Sequence, residues 1–251
     1  MNPKDDVGHG TSVSAIVHVS APKATIVSIR VLDSQGYTTM GNLLLGLEKA
    51  ITLRCHVINL SLGSEPFCLS PLCFILQLIA PITVQVCAAG NSGPKSGTIA
   101  MPAHCPSTIA VGSVSGKIKP GDPAWFSSRG PVCGMVLPDI SALGGYGDKE
   151  GITQPIERLV VPSVGGEEAL ARGTSFSAPW ISGVIALLIQ YFGRIPDRGL
   201  VESQMNLMAL DLGNPGKDNE TGYGLIQANS LLYLPKIYDI ASLIRETFKI
   251  R

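Results

Sequence analysis

The sequence predicts an α/β fold, with a mostly parallel central sheet covered by helices on both faces. Three observations carry this expectation. Short β-branched apolar runs alternate with longer runs of helical period. The strand-length runs are apolar throughout, as strands buried on both faces are. Of the 251 residues 45% are hydrophobic and only 15% charged, enough to bury a large core.

The elements follow in order. Gly8-His9-Gly10-Thr11 opens a helix that continues through Val13, Ile16 and Val17, and residues 25–32 form a strand-length apolar run. Residues 40–53 place Met40, Leu43, Leu44, Leu47, Ala50 and Ile51 at helical spacing, and a short strand follows at 57–60. The longest apolar stretch, 72–89, is interrupted by Gln77, Pro81, Thr83 and Gln85, so it fits a helix over 69–80 and a strand over 82–88 better than a membrane span. Residues 109–173 are less regular and loop-rich. Long apolar residues 174–191 then predict a helix, 199–210 another, and 214–224 a loop. Apolar residues at 237, 240, 244 and 248 predict a C-terminal helix over 237–249, so that 235–251 is a helical extension of one domain spanning 1–251. Right-handed crossovers in such a sheet put the loops after the strands on one edge, where ligands bind.

Composition excludes several functions. Lys plus Arg and Asp plus Glu are 19 each, so no basic excess draws the chain to nucleic acid or anionic lipid. The 28 glycines and 18 prolines have no period and point to many tight turns. Six cysteines (Cys55, Cys68, Cys73, Cys87, Cys105, Cys133) contain no C-x-x-C, and four histidines fall at no ligand spacing, so neither a metal nor another cofactor is expected. Disulfides are open to an oxidising compartment, with 15 pairings allowed for six cysteines. Cys87, inside an apolar run, is expected to be a buried free thiol. Residues 1–6 carry no secretory signal, and the cellular address and oligomeric state do not follow from the residues.

Three small-residue turns hold reactive or polar groups. His9, flanked by glycines at a helix start, can approach another backbone closely. Asn91, in Ala88-Ala89-Gly90-Asn91-Ser92-Gly93 directly after a strand, places an amide at the sheet's carboxyl edge, where it can donate to an oxyanion. Ser175, in Gly173-Thr174-Ser175-Phe176-Ser177-Ala178-Pro179, sits at a helix N-terminus whose dipole and free N–H groups favour negative charge, with Pro179 expected in the first turn. Taken singly, these are an incidental histidine, a turn-forming asparagine and an N-cap serine. Together and in this order they are far less expected by chance.

These motifs resemble the subtilisin-like serine proteases, the subtilases, over nearly the whole chain. Val31-Leu32-Asp33-Ser34-Gln35-Gly36, Val57-Ile58-Asn59-Leu60-Ser61-Leu62-Gly63, Met101-Pro102-Ala103, Phe126-Ser127-Ser128-Arg129-Gly130 and Gly222-Tyr223-Gly224-Leu225 fit the same family. The resemblance implies a subtilisin-like three-layer fold and a serine endopeptidase acting on polypeptide substrates. Ser175 would be nucleophile, His9 general base and then acid, and Asn91 an oxyanion donor with the Ser175 N–H. Ser61, Leu62 and Gly63 would pair with extended substrate, and Ala88, Ala89 and Gly90 would line the primary side-chain pocket, which favours a large apolar residue.

The sequence departs from the family at its start. The subtilase order is Asp, His, Ser, with the aspartate on an early strand, yet only eight residues precede His9. That strand and its aspartate have no counterpart. Asp6 reads as a loop or helix-start carboxylate, and Asp33 lies after a different strand and is not assigned. An incomplete chain, an inactive homologue acting as a peptide-binding or scaffolding protein, and an enzyme using another acid all stay open. Trp180 stands where the family usually has histidine and is expected to pack, and residues 17–25 are too short and oxygen-poor for a calcium loop.

Overall fold

The structure is a computed structural model that describes residues 5–116, 121–145 and 158–227. The predicted helix at 237–249 and the extension 235–251 lie outside the described residues.

The elements are α1 (His9–Ser20), α2 (Met40–Thr52), β1 (Val57–Leu60), α3 (Pro71–Ile79), β2 (Val84–Ala88), β3 (Ile109–Val114) and β4 (Ile140–Leu143). They continue with β5 (Leu159–Pro162), β6 (Glu168–Ala171), α4 (Thr174–Phe192), α5 (Arg198–Met208), β7 (Ala209–Leu210) and β8 (Leu225–Ile226). One sheet has the order β1-β2-β3-β4-β8-β7, parallel except for the last pair, and β5 and β6 form a separate antiparallel ribbon. Side chains alternate across this sheet as a strand's period of two requires. Leu60, Cys87 and Ala110 pack with Leu43, Leu47, Leu72 and Leu76 of α2 and α3. Val86, Ala88, Val111 and Ile140 pack with Ile181, Ile185 and Leu188 of α4 and Met205 of α5. Three layers result, as expected from strands apolar on both faces.

Local chemistry fixes the helix starts. Thr39 accepts from Asn42 N to cap α2, Ser70 precedes Pro71 at the first position of α3, and Asp197 accepts from Leu200 N at α5. The 19-residue α4 has the length and composition of a membrane span, but Ile181, Val184, Ile185 and Leu188 are buried against the sheet. A β-carbon on Gly183 would collide with Ser20, so α1 and α4 approach closely. Pro179 is the sixth residue of α4, not part of its first turn as expected.

Cys68–Cys133 and Cys73–Cys105 are disulfides, whereas Cys87 is free and fully buried. Burial drives the Cys87 thiol pKa far upward, so it is an inert core group.

One expected strand differs. Residues 25–32 form no strand and pair with none, and Ile26 and Val27 remain 38% and 43% exposed. They are anchored from one side by α2, where Gly46 has no room for a β-carbon beside Val31. Sequence pattern suggests a strand, but a ladder also needs a neighbouring strand, and none among the described residues pairs with this segment.

Candidate active site

The carboxyl ends of β1 and β2 and the amino ends of α1 and α4 meet at one edge of the sheet. His9 is the first residue of α1 and Ser175 the second of α4. Gly8 precedes His9 at φ 86°, and a β-carbon there would lie 2.5 Å from Ser163 Oγ. Glycine is therefore required for the close approach of α1 to the loop after β5. Ser12 Oγ donates to Pro162 O (2.7 Å) and holds the same junction.

Asp5 holds the start of α1. Its carboxylate accepts from Gly8 N (2.8 Å), Val7 N (3.2 Å), Thr11 N (2.7 Å) and Thr11 Oγ1 (2.7 Å). Burial pushes its pKa upward, but the Thr11 hydroxyl and the three backbone N–H groups outweigh that and hold it at about 2. Asp6 instead pairs with Arg30 (2.8 Å), which makes it a loop carboxylate. Asp33 accepts from Gln35 N and Tyr37 N and closes its own turn. Among the described residues, no carboxylate hydrogen-bonds the His9 ring.

The His9 ring is half-buried and meets Phe176 edge-on at 5.5 Å, one residue from Ser175. Burial lowers its pKa, opposed by the negative charge of Asp5. The ring is thus neutral at pH 7, the state a proton acceptor needs.

Ser175 is tied to the end of β1. Pro179 has no N–H, so the Ser175 carbonyl four residues earlier lacks its helical donor. Ser61 Oγ supplies one instead (2.6 Å), and Ser175 Oγ donates back to Ser61 O (3.3 Å). Asn59 Nδ2 donates to Ser61 Oγ and Asn59 Oδ1 accepts from Ser182 Oγ, both at 2.9 Å, which extends the stitch along α4. In this state the Ser175 hydroxyl bonds the Ser61 carbonyl and not His9.

Asn91 is exposed at the end of β2. Its Oδ1 accepts from Thr174 N (3.0 Å) and Thr174 Oγ1 (3.1 Å), and Gly90 N donates to Thr174 Oγ1 (3.0 Å). With the oxygen so committed, the amide's NH2 is left as donor, and its nitrogen would sit 3.1 Å from a β-carbon on Gly173. Gly173, at φ 134°, caps α4 where a serine cap was one expectation, and this opens the approach. The Ser175 N–H, in the first turn, lies where a helix has no internal acceptor.

The pocket residues fall less evenly. Leu62 is half-buried, and Gly63 is exposed but packed so tightly against Ala100 and Met101 that no β-carbon fits comfortably. Ala88 and Ala89 are 4% and 0% exposed, their side chains sunk in the two core layers, so of the three expected pocket residues only Gly90 offers appreciable surface. Trp180 packs beside Phe176 and Val161, as expected. The sequence reading missed Thr174 and Asn59. A hydroxyl beside the nucleophile and an amide at a strand end were visible signals, but their partners are remote in sequence.

Comparisons with known proteins bear on the family and the fold. The pattern of the Subtilase family matches residues 1–224. Serine protease AprX of Bacillus subtilis is 32% identical over 219 residues, covering 75% of this chain and 50% of its own. Subtilisin E of the same organism is 30% identical over 200 residues, covering 75% and 47%. A crystal structure of a lanthipeptide protease superimposes with TM-score 0.74 at 25% identity, over 92% of this chain and 77% of that one. The chain spans about half the length of the curated relatives it matches. A three-layer sheet with His, Asn and Ser motifs at its carboxyl edge, matched by a family pattern across 224 residues, makes this chain a member of the subtilase family of serine proteases.

Proposed function

We propose that this chain is a serine endopeptidase of the subtilisin type acting on polypeptides, with Ser175 as nucleophile, His9 as general base and Asn91 as oxyanion donor. One observation supports this most: Asn91 Oδ1 accepts from N and Oγ1 of Thr174, the residue before Ser175, which leaves its NH2 as the donor on that side. Attack by Ser175 Oγ on a peptide carbonyl passes its proton to the neutral His9 ring, which returns it to the leaving amine. Water then repeats the sequence on the acyl-enzyme. Ser61, Leu62 and Gly63 serve as the pairing edge for extended substrate, and Gly90 as the exposed wall of the primary pocket.

A second reading, a non-catalytic peptide-binding relative, is favoured by two features: no carboxylate among the described residues hydrogen-bonds the His9 ring, and Ser175 Oγ donates to Ser61 O. Labelling of the folded chain with a fluorophosphonate, read at the peptide containing Ser175, tests both. The protease reading expects labelling that His9→Ala abolishes; its absence in a folded chain favours the binding reading.

A further inference from the structure

The two disulfides differ in exposure. Cys73–Cys105 is shut behind α3, with Cys105 only 2% exposed and both cysteines packed in the core layer of Leu72 and Leu76. Both cysteines of Cys68–Cys133 are exposed. Cys133 and Gly134 form the centre of a two-residue hairpin turn at φ 53° and 77°, closed by backbone hydrogen bonds between Val132 and Met135 in both directions. Such turns favour Asn-Gly, because a β-carbon is disfavoured at positive φ. Cys133 therefore holds its place against local preference, tethered to Cys68. Phe67 and Leu69, on either side of Cys68, are 60% and 87% exposed. Neither 66–94 nor 130–138 contains Asp, Glu, Lys or Arg.

We propose that Cys68–Cys133 is a thiol–disulfide exchange site, opened by a protein dithiol that docks on the uncharged apolar surface of Phe67 and Leu69. Exposed bridges are the labile ones, since exchange needs access to a sulfur. One thiolate of the partner attacks a bridge sulfur, forming a mixed disulfide and releasing the other sulfur as a thiolate. The partner's second thiol then displaces the remaining bridge sulfur. The bridge takes up two electrons and two protons as two thiols, and the partner is oxidised to its own disulfide. A small anionic thiol such as glutathione finds no cation in either arm to hold it, whereas Phe67 and Leu69 match a protein dithiol with an apolar rim.

What the bridge controls follows from what its two arms continue into. Residues 64–68 run directly on from the pairing edge at 61–63. The hairpin of Cys133 runs directly on from Ser128, whose N–H donates to Gly90 O (3.0 Å) and whose Oγ accepts from Ser92 N (3.1 Å). Among the described residues no hydrogen bond or ion pair joins 64–70 to 130–137, so the cystine ties one arm to the other. Ser64 stays paired with Met101, and Gly130 N with Leu137 O, so opening the bridge loosens this tie without unfolding either arm. Reduction thus weakens the hold on extended substrate between 61–63 and Gly90. That consequence rests on the protease reading; the exchange site does not.

The test uses the full oxidised chain, with Cys55 first blocked by alkylation of the folded protein. Reduced thioredoxin, recycled by its reductase and NADPH, is compared with glutathione at equal thiol concentration, and new thiols are located by alkylation and mass spectrometry. Cys68–Cys133 should open at least about tenfold faster than Cys73–Cys105, and faster with thioredoxin than with glutathione. A thioredoxin lacking its resolving cysteine should stay covalently bound to Cys68 or Cys133. Phe67→Ser with Leu69→Ser should slow the reaction with thioredoxin several-fold and leave that with glutathione unchanged. Equal opening of both bridges, or earlier opening of Cys73–Cys105, overturns the exchange site. An equal rate with glutathione, or a thioredoxin rate that the two serines leave unchanged, overturns the protein partner. For the consequence, labelling of Ser175 is compared between a small fluorophosphonate and one carrying an extended peptide. Reduction of Cys68–Cys133 should slow the peptide-bearing probe relative to the small one by about tenfold. An unchanged ratio overturns the control of substrate, while no labelling by either probe overturns the protease reading and the consequence that rests on it, with the exchange site still decided by alkylation.

Discussion

At the scale of single residues, the candidate chemistry rests on which atoms are already committed. Burial holds the His9 pKa below the ordinary imidazole value, while Asp5 partly restores it. Fluorophosphonate labelling of Ser175 should therefore rise with pH through a midpoint below about 6.5. Asp5→Asn removes the negative charge and should move that midpoint lower still; a shift upward would contradict the assignment. In the proposed function Asn91 uses two atoms, its oxygen for Thr174 and its amide NH2 for the oxyanion. Asn91→Asp keeps an oxygen for Thr174 and loses the donor, so turnover should fall by about 10²–10³, the known cost of losing such a donor in subtilisin, with little change in stability. Asn91→Leu should lose both, seen as the same kinetic defect with a lower unfolding midpoint. His9, Ser175 and Asn91 stand out in the sequence because each sits in a short motif, and the fold brings those segments to one edge. The lock by Thr174 does not, since hydrogen bonds across 83 residues leave no local pattern.

At the scale of elements, the junction of β1 and α4 is the most informative. Pro179 leaves a carbonyl unsatisfied in α4, and Ser61 at the end of β1 satisfies it. Ser61→Ala should then cost about 1–3 kcal/mol, the penalty of a half-buried orphaned carbonyl. Pro179→Ala restores an N–H within the helix, so the double variant should recover part of that loss in chemical denaturation. Simple additivity of the two changes would argue against the coupling. Helix positions were readable to within two residues because their apolar periods and caps are local: 40–53 became Met40–Thr52 and 69–80 became Pro71–Ile79. Residues 25–32 show where such reading ends. Their pattern is that of a strand, but pairing is a property of two segments.

At the scale of the whole molecule, the three layers followed from the alternation of strands and helices, whereas the cysteine pairing could be read only from the structure. Both disulfides lie on the α3 side: Cys73 is in α3, Cys105 follows the Met101 turn, and Cys68 reaches Cys133 across a separation of 65 residues. Closing a loop of that length stabilises by about 4 kcal/mol in the chain-entropy description, and the nested 32-residue loop adds to it. Reduction should lower the denaturation midpoint sharply while Cys55→Ser leaves it unchanged. An unaltered midpoint on reduction would rule out both bridges as stabilising links.

That placement divides the molecule mechanically. No disulfide among the described residues ties α1, residues 25–32 or α2 to the rest. The α3 side carries both staples, and α1, which begins at His9, carries none. Warming or a digesting enzyme should open the protein there first, parting His9 from Ser175 while most of the sheet stays intact. Any labelling of Ser175 would then be lost before the fold, with the first cleavage within residues 21–39, between α1 and α2.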